Sequence, residues 1–252
     1  MIDRVYLRNM KDNFSSHSKA YAQFRPQYPK ELFDHLLTLV DSKDTAWDCG
    51  TGNGQVAGVL ADHFTDVYAT DISEQQLNEA VQKNNIHYSV QPAEGTDFTD
   101  HQFDLITVAQ AIHWFRFDAF YAEAKRTLKP DGLLAVIGYG LLQTEKSLQE
   151  IIGHFYTKII GSYWDSERHY IDEGYQTIPF PFKEIMMPSF QMSYQWYFEQ
   201  LIGYIGTWSA VKHYIQQNNA DPVLLIKDSL LSAWGDQTEH SFTFPVLLRA
   251  GR

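Results

Sequence analysis

Residues 47–57 read WDCGTGNGQVA: an aspartate, Asp48, and then three glycines, Gly50, Gly52 and Gly54, within five positions. The residues just before, TAWDC at 45–49, form a short β-prone run. Those just after, VAGVLADHF, place Val56, Val59, Leu60 and Phe64 on one helical face. The stretch therefore predicts a strand, a glycine turn and a helix. Such a turn lets a ligand approach the backbone, and the helix start favours negative charge. The spacing narrows the ligand. A dinucleotide fingerprint, G-x-G-x-x-G, would need a third glycine where Gln55 stands, and the G-K-S/T of a nucleotide phosphate loop is missing. A tight turn with no ligand is the plain alternative.

Working outward, DVYATD at 66–71 predicts a second strand, and SEQQLNEAVQKNN predicts a helix opened by Ser73 with Gln76 three residues on, the spacing of a capping box. IHYSV at 86–90 is a third strand. After a turn around Pro92 and Gly95, FDLITVA at 103–109 is apolar except for Asp104 and Thr107, as a central parallel strand should be. A helix is expected from Asp118 to Leu128, a turn at Pro130–Asp131–Gly132, and a fifth strand at LLAVIGY. Strand and helix alternating over such a length demand parallel strands joined by right-handed crossovers. From 141 to 240 the rhythm changes to an aromatic-rich stretch with helices expected near 145–161, 196–216 and 222–234 and a strand at 184–194, before a last strand in HSFTFPVLLRAG. The expected fold is α/β: a doubly wound, mostly parallel seven-stranded sheet with helices on both faces and a helical C-terminal elaboration. One domain, 1–252, accounts for the chain, with lid helices in 1–40, a ligand-binding core in 41–140 and a substrate cap in 141–240.

Composition excludes several functions. Thirty-one acidic residues against 20 basic ones give a formal charge of −11, which repels a nucleic-acid backbone. No apolar run is long enough to cross a bilayer, and the N-terminus lacks a secretion signal. Cys49 is the sole cysteine, so no disulfide forms within the chain, and its surroundings suggest a small buried filler. The ten histidines show no metal-ligand spacing, and no metal is expected. These features point to a cytoplasmic protein with a small-molecule partner, binding neither nucleic acid nor membrane; they leave the oligomeric state open.

Ligands of doubly wound sheets sit beyond the carboxyl ends of the strands. The second strand ends there in Asp71, whose carboxylate can accept from both hydroxyls of a ribose and would repel a 2′-phosphate. A nucleoside without phosphate at that position follows, with a simple cap role for Asp71 as the alternative.

Asp48-Cys-Gly50-Thr-Gly52-Asn-Gly54, Asp71-Ile72, Pro92-Ala93-Glu94, Phe103-Asp104 through Gln110, and LKPDG at 128–132 together resemble the ordered motifs of class I S-adenosylmethionine-dependent methyltransferases, with a Rossmann-like sheet. Within that class, AYAQFRPQYP, AQAIHWF and TWSA resemble the trans-aconitate methyltransferase-like group. The resemblance implies S-adenosylmethionine as cofactor. It implies that Gly50 and Gly52 lie against the methionine moiety and ribose with Asp48 supporting the loop, that Asp71 holds the ribose and Ile72 packs on adenine, that Ala93 and Glu94 face the adenine amine, and that Ala109 and Gln110 approach the amino group and sulfonium. It also sets Tyr21 and Arg25 near the pocket. Arg25 offers a two-pronged contact for a carboxylate of the cofactor or substrate, and helical spacing of Ala20, Tyr21 and Phe24 suggests a lid. Ile72 reads equally as core, and Glu94 as a solvated turn charge.

His113, after the fourth strand, is the candidate catalytic residue: a neutral imidazole there could deprotonate a hydroxyl or amine acceptor, or it could be a hydrogen-bonded packing residue. Trp114 is either a pocket wall or core. Among Tyr163, Trp164, Tyr170, Tyr175, Trp196 and Trp208, an enclosed substrate cavity is expected as a region. The expected reaction is methylation of a small molecule on oxygen, a carboxylate or a hydroxyl. Methylation of nitrogen, carbon or sulfur on another metabolite, and a nucleoside-binding regulator without catalysis, are the alternatives.

Overall fold

The structure, a computed structural model, describes residue 24 and residues 26–252. Most of the expected lid, Tyr21 and Arg25 included, lies outside the described residues. The first described helix, α1 (Lys30–Thr38), turns Leu32, Phe33 and Leu36 into the core. Then come β1 (Thr45–Cys49), α2 (Gln55–Leu60), β2 (Asp66–Asp71), α3 (Glu74–Asn78), β3 (Ile86–Val90), β4 (Phe103–Ala109), a single 3₁₀ turn (Ile112–Trp114), α4 (Phe117–Thr127) and β5 (Leu128–Tyr139). The later half supplies α5 (Lys146–His154), α6 (His169–Asp172), β6 (Glu184–Ile185), β7 (Gln191–Trp196), α7 (Phe198–Gly206), α8 (Ser209–Asn218), α9 (Leu224–Trp234) and β8 (His240–Gly251).

Among the described residues the sheet has eight strands, in the order β3-β2-β1-β4-β5-β8-β6, with β7 paired to β8 off that path. Strands β1 to β5 are parallel and β8 runs antiparallel to β5. The architecture is the doubly wound one, and the strand order reverses between β1 and β4. A crevice opens at the carboxyl ends of these two strands, where ligands of such sheets bind. Alternation along β5 builds the two faces: Leu133, Ala135 and Ile137 join the cluster under α1 and α2, while Leu134 and Val136 join the cluster under α4. The two polar residues of β4 both have partners. Asp104 accepts from the Asp44 and Thr45 amides at 3.1 and 2.9 Å and from Lys129 at 2.7 Å, and Thr107 reaches Asp48.

Five expected elements differ. The helix expected over 145–161 is α-helical only to His154 and continues as a π-helical stretch, Phe155–Ile159. The helix after Ser73 stops at Asn78, because Val81 leaves it to donate its amide to Asn53 O at 3.1 Å, bracing the glycine loop. The Pro130–Gly132 turn is a bulge within β5, which pairs Leu128 with Phe103 and resumes at Leu133 with Leu105. The 184–194 strand divides into β6 and β7 around Pro188, which has no amide to give. The 196–216 helix breaks at extended, buried Trp208, where the Thr207 hydroxyl bonds Tyr204 O at 2.6 Å.

The cap has its own core. Trp196, Tyr204, Trp208, Trp234, Phe242 and Phe244 meet there, joined to the sheet through Tyr139. Strand β8 serves both parts: its first half pairs with β7 and its second with β5. No helix among the described residues is long and apolar enough to cross a membrane.

Candidate functional site

Asp48 is the centre of the glycine loop. It is 1% exposed; its Oδ2 accepts from Thr51 Oγ1 at 2.5 Å and Ala57 N at 3.0 Å, and its Oδ1 accepts from Thr107 Oγ1 at 2.8 Å. Burial pushes its carboxyl up to about 6 against the pull of these three bonds. The Ala57 amide, which a phosphate-binding loop would leave for its ligand, is spent on Asp48.

All three glycines are left-handed, with φ of +67°, +54° and +75°, and each is required for a different reason. A Cβ on Gly50 would stand 2.7 Å from the Ala111 Cβ. One on Gly54 would run into the Tyr88 hydroxyl. One on Gly52 would meet no protein atom within 4 Å. Gly52 is therefore bare where a Cβ would stand, and it is one of the residues lining a cavity of about 160 Å³ at the switch point.

The cavity takes its walls from five places. The loop gives Asp48, Gly50, Gly52 and Val56; the end of β2 gives Asp71, Ile72 and Ser73; the end of β3 gives Gln91 and Ala93. The end of β4 gives Ala109, Gln110, Trp114 and Phe115, Tyr139 closes β5, and Pro26 and Tyr28, ahead of α1, complete the lining. Asp71 is pre-aimed: its Oδ2 accepts from Gly52 N at 2.8 Å and its Oδ1 from Ser73 N at 2.9 Å. Gln110 holds a left-handed backbone, φ +52°, anchored by its amide on Ile137 O at 2.9 Å and its Nε2 on Tyr139 O at 3.2 Å. A non-glycine residue in that region costs about 1–2 kcal/mol, a strain of the kind that clusters at functional sites.

The structure thus brings together Asp48, Gly50, Gly52, Asp71, Ile72, Ala93, Ala109 and Gln110. Gly54 serves the turn from behind and is not on the wall. Two expected site residues require correction. Glu94 does not line the cavity: its Oε1 accepts from Arg116 N at 2.9 Å, and its Oε2 is buried without a hydrogen-bond partner among the described residues. It caps the segment leading into α4, and Gln91 and Ala93 occupy the wall. His113 does not face the cavity either. The 3₁₀ turn directs it inward, 6% exposed, with Nδ1 3.2 Å from the Tyr175 hydroxyl and its ring stacked on Tyr175. Burial holds its pKa down at about 3, helped by the Arg168 charge. It is a neutral packing residue. Tyr21 and Arg25 lie outside the described residues. Cys49 is fully buried, and burial pushes its thiol well up, so it is not a thiolate.

The cap aromatics behave alike: Tyr175, Trp196 and Trp208 are buried in cores, and none of the six expected residues lines the cavity. Sequence reading passed over Gln91, Phe115 and Tyr139. The rule that sites collect at strand ends beside the switch point marks Gln91 and Tyr139, since each lies at or just past the end of its strand. Among the described residues no group of three or more His, Cys, Asp or Glu side chains is arranged to hold a metal ion.

Comparison with known proteins agrees with this geometry. Residues 47–136 match the family model described as a methyltransferase domain. A Dictyostelium discoideum protein named as a methyltransferase is 36% identical over 245 residues, covering 94% of this chain and 93% of its own. A solved structure from Anaeromyxobacter dehalogenans, described as a type II methyltransferase, superposes with a TM-score of 0.84 at 36% identity, over 91% of this chain and 98% of that one. The malonyl-[acyl-carrier protein] O-methyltransferase of Marinomonas sp. is 29% identical over 136 residues, half of each chain. The chain belongs to the class I S-adenosylmethionine-dependent methyltransferases. Its cavity suits that cofactor: the bare side of Gly52 admits close approach, the Asp71 carboxylate stands on the wall at the end of β2 held by the Gly52 and Ser73 amides, and no Lys, Arg or His stands on the described wall to invite a phosphate.

Proposed function

We propose that this methyltransferase acts on a small molecule, transferring the methyl group to an oxygen of a carboxylate. The observation that carries the reading is the composition of the described wall: at its β4–β5 end stand Gln110, Trp114, Phe115, Tyr139 and Tyr28, with no imidazole or ammonium group. A carboxylate is ionised near neutrality and needs no base, whereas a hydroxyl or protonated amine does. The two carboxylates on the wall are engaged elsewhere, Asp48 in the loop and Asp71 on two amides. The Marinomonas relative, named a malonyl-[acyl-carrier protein] O-methyltransferase, supports oxygen as the acceptor atom. The motifs AYAQFRPQYP, AQAIHWF and TWSA support the trans-aconitate methyltransferase-like group. A cytoplasmic setting fits the one buried cysteine.

When bound, S-adenosylmethionine supplies a methyl carbon on a positively charged sulfur; the acceptor oxygen's lone pair forms the new O–C bond as the C–S bond breaks and its electrons return to sulfur, leaving no proton over. The chain's own work is binding and alignment. Asp71 would hold the ribose hydroxyls, Ile72 and Ala93 would flank the base, and the loop around Gly50 and Gly52 would border the ribose and methionine moiety. Ala109 and Gln110, at the end of β4, would stand beside the sulfonium. The aromatic faces of Tyr28, Trp114, Phe115 and Tyr139 exclude water and tolerate a cation, which favours alignment over solvation at the reacting carbon.

The test is a panel of small carboxylic acids, alcohols, amines and thiols with methyl-labelled cofactor, products read by mass spectrometry. Methyl esters are expected, with a rate independent of pH from about 6 to 9 because the acceptor's ionisation is complete. Products methylated on nitrogen, carbon or sulfur, with no ester from any acid, would refute the carboxylate assignment.

A further inference from the structure

The segment from Pro26 to Tyr28, whose two end residues line the cavity, is held from two sides. On the core side Tyr28 meets Tyr139 and Phe33 edge-on, with ring centroids 6.0 and 6.4 Å apart. On the cap side a single hydroxyl holds the residue in between. Tyr194 of β7 accepts from the Gln27 amide at 2.8 Å and donates to the Gln27 carbonyl at 2.9 Å. Both backbone groups of the residue between two cavity-lining side chains are thus satisfied by one side chain 167 positions away. Tyr194 is itself fixed by the cap core, tilted on Trp196 at 5.7 Å and edge-on to Phe244 at 6.1 Å. A second cap contact acts just upstream: the Phe24 ring lies so close over Gly203 of α7 that a Cβ there would stand 2.7 Å from it.

We propose that Tyr194 is a positioning residue for cofactor binding: its hydroxyl latches the 26–28 segment to the cap, and release of this latch sets the rate at which cofactor and its product leave. The assignment rests on the cavity being the cofactor site. Tyr194 is not on the cavity wall and touches no reacting atom; it acts through Pro26 and Tyr28. Without the hydroxyl, two backbone groups of Gln27 exchange a protein partner for water, so the closed position loses its advantage over open ones. The cap thereby governs access to a cavity built almost wholly by the core.

Tyr194→Phe keeps the ring on Trp196 and Phe244 and removes only the latch. The product S-adenosylhomocysteine is the probe, measured by calorimetry for affinity and by stopped-flow fluorescence for dissociation. Loss of one or two neutral hydrogen bonds predicts dissociation faster by about five- to twentyfold and a KM for S-adenosylmethionine raised to match, with kcat not lowered. Gly203→Ala is the second variant. Alanine is the better helix former, so α7 gains stability while the added methyl displaces Phe24. Faster dissociation together with an unchanged or higher melting temperature is expected, a combination that a general weakening of the fold does not give. Should Tyr194→Phe prove unstable, exchange of the Gln27 amide in the unaltered protein decides: protection that deepens with S-adenosylhomocysteine supports the latch, and exchange at the open-chain rate overturns it. If the unaltered protein binds the probe and both variants release it at the same rate, the latch is wrong. If the unaltered protein fails to bind it at all, the cavity assignment is at fault instead.

Discussion

Gly50 and Gly52 share a conformation and differ in what lies beside them, so alanine at each gives separable results. At Gly52 a side chain pays the left-handed penalty of about 1–2 kcal/mol, partly offset by about 0.4–1 kcal/mol from a stiffer unfolded chain. No protein atom lies within 4 Å of the new carbon. Folding stability should fall by only about 1 kcal/mol, a drop of about 2–4 °C in a protein of this size. Gly52 lines the cavity, however, and a methyl group added on this wall is expected to overpack against a bound ligand, at a cost of about 1–3 kcal/mol, or about 5- to 150-fold in affinity. At Gly50 the same backbone penalty is joined by overlap with Ala111, 2.7 Å away, and the sum of about 2–5 kcal/mol falls on stability itself. Thermal melting and calorimetry with S-adenosylhomocysteine, run on both variants, separate the two effects. Gly52→Ala retaining full affinity would show that the ligand does not cross this side of the loop, and the account of the glycines would be wrong.

Asp71→Ala should weaken S-adenosylhomocysteine binding by about 1.5–3 kcal/mol for lost charge-assisted hydrogen bonds; unaltered affinity in calorimetry would remove Asp71 from the ribose. His113→Gln should leave the pH profile of kcat between about 6 and 9 unchanged, because the imidazole is off the wall and its pKa is held at about 3; a rise of kcat with pH that the variant loses would restore it as a base. The same variant tests linkage: the folded protein keeps His113 neutral from about 6.5 down to about 3, so its contribution is present above 6.5 and lost as pH falls, and the stability difference between the two proteins should shrink by about 1.4 kcal/mol per pH unit below about 6. Asp48 has the opposite sign, since its raised pKa of about 6 costs stability as pH climbs from about 4 to 6; Asp48→Asn should abolish that fall in urea titrations, while still weakening cofactor binding because the loop loses its anchor.

The strands were readable because each carries its own signal. TAWDC, DVYATD, IHYSV, FDLITVA and HSFTFPVLLRAG all occupy the positions their patterns imply, and alternation with helices fixed their parallel order. Helix lengths were less readable, because the ends depend on partners elsewhere. Residues 79–85 continue a helical pattern, yet Val81 is drawn off to the glycine loop. The site was legible wherever backbone conformation demanded a residue type, as at Gly52, or where a charge stood at a strand end, as at Asp71. His113 and Trp114 show the limit. Both follow β4, and only the 3₁₀ turn decides that Trp114 looks into the cavity while its neighbour looks away. In the cap, aromatic spacing carried no information about which rings would bury one another and which would meet a ligand.

The cost of Asp48 clarifies what the loop is for. A carboxylate 1% exposed and ionised at neutral pH, with its pKa moved from 3.8 to about 6, opposes folding by about 3 kcal/mol. An asparagine would avoid that cost, but its neutral amide would make weaker bonds than the charge-assisted ones that Thr51, Ala57 and Thr107 give to the carboxylate. The acceptor-only group ties Thr51 in the loop, Ala57 in α2 and Thr107 in β4 to one point. That fixes the first turn against the neighbouring strand across the switch point. Gly52 can then present its amide to Asp71 and line the cavity, so the second carboxylate is aimed by a loop that the first has already set. Stability is given up at Asp48 so that the wall is rigid before any ligand arrives, which is the condition for aligning a methyl group and an acceptor without a catalytic side chain.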